Sequence, residues 1–175
     1  RWCSTSSRPT GARTPGLATT EPMMTDPASI ELDVQRATAW EPLPSDEQFG
    51  LWVSTALQGR GSAELTIRIV DREESRRLNR QYRGQDAPTN VLSFPADLPG
   101  EIGLNLLGDI LICAPQVAEE ALAQGKPDQA HWAHLTIHGV LHLLGYDHQL
   151  AAEADVMEGI EIALLESLGI PNPYA

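Results

Sequence analysis

DQAHWAHLTIHGVLHLLGYDH, residues 128–148, decides both what the chain folds around and where its chemistry lies. Asp128 opens an apolar run and Gly145 closes it, so the pattern predicts one long helix from 128 to 144. All five histidines of the chain fall in this stretch. His138 and His142 are four apart, about 400° around a helix and about 6 Å along it, which points both imidazoles the same way one turn apart. That spacing suits two ligands of one metal ion. His134 lies on the same stripe but about 12 Å along the axis from His142, too far for both to reach one ion through bonds of roughly 2.0–2.1 Å. A straight helix therefore supplies two ligands. Gly145 suits a left-handed helix end, after which His148 can swing back as the third. Three imidazoles leave a coordination position open, as catalytic zinc sites do. Asp147 and Asp155 are candidates to accept the second N–H of a ligand ring. Unrelated histidines on a buried helix are the bland alternative, better suited to a lone pair than to His-x3-His-x2-Gly-x2-His.

Gly139 stands where the metallopeptidase signature H-E-x-x-H-x-x-G-x-x-H keeps its general base. A glycine inside a helix costs roughly 1 kcal/mol relative to alanine, so something needs the space. Either a bulky substrate sits beside His138, or the helix packs closely on a neighbour. Without the glutamate, a metal site still offers Lewis acidity and a water pKa lowered toward about 7, and phosphodiester hydrolysis is the better match than peptide hydrolysis.

Around this helix the chain punctuates clearly. IELDVQ (30–35) reads as a strand. Ser45 caps a helix to 58 that carries Phe49, Trp52, Val53 and Leu57 at helical spacing. Residues 63–70 alternate as a strand, Asp71 starts a helix to about Tyr82, and NVLSFP (90–95) is a strand ended by its proline. LPGEIGLN is a turn-rich excursion, and LLGDILIC (106–113) is a core strand. A helix follows with Pro115 in its first turn and ends at Gly125, and a last helix spans about 150–168. The order βαβαββααα predicts an α+β domain, a small mixed four-stranded sheet packed by about five helices, over residues 27–175.

Residues 1–26 have no hydrophobic period and are expected to be a disordered extension. The first 24 are rich in Arg and Ser with a single acid, Glu21, and fit an organellar transit peptide; the favoured alternative is a start set too far upstream, since Met23 and Met24 precede the first patterned segment. No window nears a membrane span, and Cys3 and Cys113 lie in unlike surroundings, so a reduced, cytoplasmic protein is expected. The net charge of −12 argues against nucleic acid only in sum. Arg68, Arg72, Arg76, Arg77, Arg80 and Arg83 fall within sixteen positions, whereas the last thirty residues hold no Lys or Arg. A row of arginines can track phosphates. Interleaved Glu73 and Glu74 equally fit a solvated ion-paired face, with Arg83, beside the Gly84 turn, the best placed for phosphate.

Taken together, HGVLHLLGYDH, YRGQDAPTNVLSFP (82–95) and LLGDILIC resemble the YbeY family of rRNA maturation endoribonucleases, over about residues 30–174 and including HWAHLTIHG and the closing NPY. The resemblance implies His138, His142 and His148 as ligands of one zinc ion and as catalytic residues, with Arg83 as the catalytic phosphate-binding arginine. It implies metal-dependent cleavage of single-stranded RNA in 16S rRNA 3′-end maturation and ribosome quality control. The implied partners are the small ribosomal subunit and an assembly GTPase. A non-catalytic RNA-binding assembly factor with a structural zinc is the rival reading, and a metallopeptidase the third.

Overall fold

The computed structural model describes residues 29–96, 105–147 and 149–175. The N-terminal extension, most of the LPGEIGLN excursion and His148 lie outside the described residues. Four strands and five helices follow in the expected order: β1 (Ile30–Ala37), α1 (Asp46–Leu57), β2 (Ala63–Val70), α2 (Arg72–Arg83), β3 (Val91–Pro95), β4 (Leu106–Cys113), α3 (Ala114–Gln124), α4 (Asp128–Leu143) and α5 (Ala151–Ser167). The sheet order is β1-β2-β4-β3. β1, β2 and β4 run parallel, while β3 joins the edge antiparallel to β4 and ends at Pro95, where a residue without an N–H does least harm. The result is the expected α+β fold with a mixed four-stranded sheet.

Alternation along the strands divides the core in two. Leu65, Ile67, Ile69, Ile110 and Ile112 face α1, α4 and α5 and form the main core with Phe49, Trp52 and Trp132. Phe49 meets both tryptophans edge to face, the arrangement that ring quadrupoles favour. Val70, Leu92, Leu111 and Cys113 form a smaller cluster on the other face, covered by Leu78 of α2 and by Phe94. The Ser45 hydroxyl and the Gln48 amide form the reciprocal capping box that starts α1. At α2 the expected cap position is right but its side chain is used differently: Asp71 accepts a hydrogen bond from the Thr38 hydroxyl and makes none to the helix.

Helix α4 is buried nearly all round and contacts α1, α3, α5, β3 and β4. Gly139 is what lets it approach the sheet. A β-carbon there would lie 2.9 Å from Ile110 Cγ2 and 3.1 Å from Cδ1, and Ile110 is fully buried. Close packing, and not room for substrate, therefore accounts for the glycine. Gly108 answers a different need. It sits at a register shift between β2 and β4 with φ +135°, and a β-carbon would strike the Phe94 carbonyl oxygen at 2.1 Å.

Two stability outcomes follow from these contacts. Gly139→Ala gains roughly 1 kcal/mol of helix propensity but overfills a stiff site at a cost of about 1–3 kcal/mol, so a net loss is expected in denaturant titrations. In the Ile110→Ala background, where the cavity takes the added methyl, the same change is expected to be neutral or stabilising, and additive values would disprove the contact. Gly108→Ala, which meets backbone that cannot yield, is expected to lower stability by more than about 3 kcal/mol.

Candidate metal and nucleic-acid site

The C-terminal end of α4 brings its histidines to one place. His138 Nε2 lies 3.0 Å from His142 Nε2, so the two rings converge as their four-residue spacing implies. The helix then stops in a Schellman arrangement: Tyr146 N–H donates to the Leu141 carbonyl, Gly145 N–H donates to that of His142, and Gly145 takes φ +101°. This is the left-handed turn that only glycine adopts cheaply. It directs the chain back past His142, with Tyr146 and Asp147 half-buried beside it.

The other nitrogen of His138 reveals a residue that the sequence reading passed over. Nδ1 is 2.5 Å from Glu161 Oε1, on α5, whereas Asp155 is exposed. Glu161 is fully buried and interrupts the apolar stripe Met157, Leu164 and Leu165 that α5 turns inward. An acid in the middle of such a stripe was the available signal. Its second oxygen, Oε2, is 3.0 Å from His134 Nε2 and accepts a hydrogen bond from the Tyr174 hydroxyl. Burial alone would push the Glu161 carboxyl upward; the hydrogen bonds from His134 and His138, with that from Tyr174, hold it at about 2. The carboxylate is therefore charged, and its three donors repay the desolvation of a buried ion.

Two sets of metal-ligating atoms share His138. Atoms of His134, His138 and Glu161 lie within 4.8 Å of one another, and Nε2 of His138 meets Nε2 of His142. In the first set the atoms already bond to each other in the interior. In the second they meet near a cleft of about 580 Å³ that His142 lines together with Arg83, Ser93, Pro95, Tyr146 and Asp147.

Arg83 reaches that cleft because α2 and its following loop are pinned from below. The buried Ser75 hydroxyl donates to the Thr89 carbonyl and accepts from its N–H, and buried Asn79 donates to the Ala87 carbonyl. Gly84 ends the helix at φ +69°. Edge strand β3 is tied to α4 through Ser93, whose hydroxyl donates to the Gly139 carbonyl at 3.3 Å. On the far side, Arg60 donates to the Tyr146 hydroxyl at 3.0 Å. The rest of the arginine row is mostly a solvated, paired face. Arg68 and Arg77 reach Glu74, Arg72 reaches Glu119, and Arg76 grips both oxygens of Asp86, whose carboxyl is held below its usual range by that bond. Among the described residues Arg80 and Arg83 are exposed and in no ion pair, and of the two it is Arg83 that lines the cleft.

Comparisons with known proteins bear on the family and the fold. Residues 44–169 match the family model described as Endoribonuclease YbeY. Among solved structures the fold is similar to the solution structure of TM1509 from Thermotoga maritima, with 25% sequence identity, a TM-score of 0.52, and coverage of 79% of this chain and 91% of that one. No helix among the described residues is long and apolar enough to cross a membrane. With the family model spanning most of its length, the chain belongs to the YbeY endoribonuclease family, nucleases that act on RNA.

Proposed function

We propose that the protein is a zinc-dependent endoribonuclease that cuts single-stranded RNA, processing the 3′ end of 16S rRNA and serving ribosome quality control together with the small subunit and an assembly GTPase. The observation that carries this reading is the convergence of two imidazole nitrogens, 3.0 Å apart, beside the cleft that also receives Arg83.

The residues fit a zinc ion. Two nitrogens bonded to one ion at roughly 2.0–2.1 Å can be no more than about 4.2 Å apart, and the observed separation is well inside that limit. Glu161 accepts the Nδ1 proton of His138, which leaves the lone pair on Nε2; metal-ligating histidines are usually oriented by such a carboxylate. His138 and His142 would hold the ion, with His148 as the third ligand. Glu161 and His134 support the site without ligating: Glu161 spends Oε1 on His138 and Oε2 on His134 and Tyr174, away from the cleft that His142 lines. Bound there, zinc supplies Lewis acidity toward a phosphoryl oxygen and lowers the pKa of water.

The chain's own residues supply the rest. The Arg83 fork binds a phosphate of the RNA bidentately and neutralises charge that develops on its oxygens during cleavage. Tyr146, steadied by Arg60, lines the same cleft. In a protein of net charge −12, an unpaired guanidinium here supplies the local attraction that the whole molecule does not.

Cleavage of an end-labelled RNA with a single-stranded 3′ tail tests the proposal. His142→Ala and Arg83→Ala are each expected to lose about 100-fold or more in rate, while Arg76→Ala, on the paired face, keeps wild-type activity. Equal cleavage by all four preparations would remove the nuclease reading from this site. Glu161→Gln is expected to weaken zinc binding by about 10- to 100-fold in chelator competition; unchanged affinity would show that the carboxylate does not orient His138.

A further inference from the structure

Past α5 the chain turns at Gly169 and returns over the N-terminal half of α4. Two contacts hold its last residues there, and a turn within the segment shapes it. Lys126, the only lysine in the sequence, donates from Nζ to the Pro173 carbonyl at 2.7 Å. The Tyr174 N–H donates to Asn172 Oδ1 at 2.8 Å. The Tyr174 ring stands edge-on to His134, centroids 5.3 Å apart and planes at 84°. The consequence of this docking is that the Tyr174 hydroxyl, carried on a half-exposed ring, arrives at the buried Glu161 carboxylate.

The carboxylate is thereby held at both ends. Tyr174 and His134 engage Oε2, and His138 Nδ1 engages Oε1. A carboxylate is planar, so fixing Oε2 from two directions fixes the plane and the direction from which Oε1 meets the His138 ring. The ring's orientation in turn sets where Nε2 points. We propose that the C-terminal segment Asn172–Tyr174 is a positioning element for the metal site: Tyr174, locked down through Lys126, aims the ligand His138 by way of Glu161. This rests on the metal reading of His138 and His142 above. It differs from a merely structural role, in which the segment covers the end of α4 and its loss lowers stability without changing how tightly the site binds metal.

Zinc affinity of the metal-stripped full chain separates the two. Wild type, Tyr174→Phe, Lys126→Met and Glu161→Gln would be titrated against a chelator at a temperature where each metal-free variant is folded by circular dichroism, with its melting temperature recorded alongside. Tyr174→Phe keeps the ring and removes only the hydroxyl; it is expected to bind zinc about tenfold more weakly, since partners of this kind tune affinity by roughly 10- to 100-fold. Lys126→Met is expected to shift affinity in the same direction by less. If Tyr174→Phe binds as wild type does while Glu161→Gln is weakened, the segment is structural only and the proposal falls with the metal reading intact. If Glu161→Gln also binds as wild type does, the route through the carboxylate is wrong. If wild type binds no zinc, the metal reading itself fails and takes the proposal with it.

Discussion

A helix buried nearly all round must solve two problems at once, and α4 solves them on different sides. Toward the sheet it needs contact, and Gly139 gives it by letting the backbone settle against Ile110. Toward α5 it carries His134 and His138, whose ring nitrogens, partly withdrawn from water, need partners. A buried imidazole N–H left unpaired costs about 1–3 kcal/mol, and a buried carboxylate left unpaired costs more. Glu161 meets both needs together. That one buried anion with three donors ties α4, α5 and the C-terminal segment together. A glycine-tight seam on one side and an ionic one on the other leave the helix little freedom to slide, and a site built at its end inherits that rigidity.

The electrostatics share this economy. An acidic protein is a poor prospect for RNA in sum, yet its arginines are sorted. Arg68, Arg72, Arg76 and Arg77 are spent on Glu74, Asp86 and Glu119, which screens them from acting as a phosphate track. Arg83 is set apart at the helix end by the Gly84 turn, where the buried Ser75 and Asn79 anchor the loop beneath it. Specific binding at a cleft depends on local potential and geometry more than on net charge.

Much of this was legible in the sequence, for reasons that particular residues make plain. β2 falls where alternation placed it and β4 where the core run LLGDILIC did, and Ser45, Gly84, Gly125 and Gly145 mark helix ends by their own chemistry, so those ends needed no tertiary information. The convergence of His138 and His142 is a property of helical pitch alone. What the sequence hid was whatever depends on elements distant in the chain. Glu161 is 23 residues from His138, and only the packing of α5 makes it a partner; nearby Asp147 and Asp155 were the natural candidates on distance along the chain. Lys126 and Tyr174 are further cases. For Gly139, spacing left substrate room and close packing open, and Ile110, met only in three dimensions, decided between them. The arginine row likewise needed the positions of Asp86 and Glu119 before its pairing was visible.

The central claim is that Glu161 orients a ligand and is not one. A crystal structure of the zinc-loaded protein, with the ion located by anomalous scattering, tests it most directly. The expected result is a single peak bonded to Nε2 of both His138 and His142, with the hydrogen bond from His138 Nδ1 to Glu161 retained. A peak seated among His134, His138 Nδ1 and the Glu161 carboxylate would contradict it.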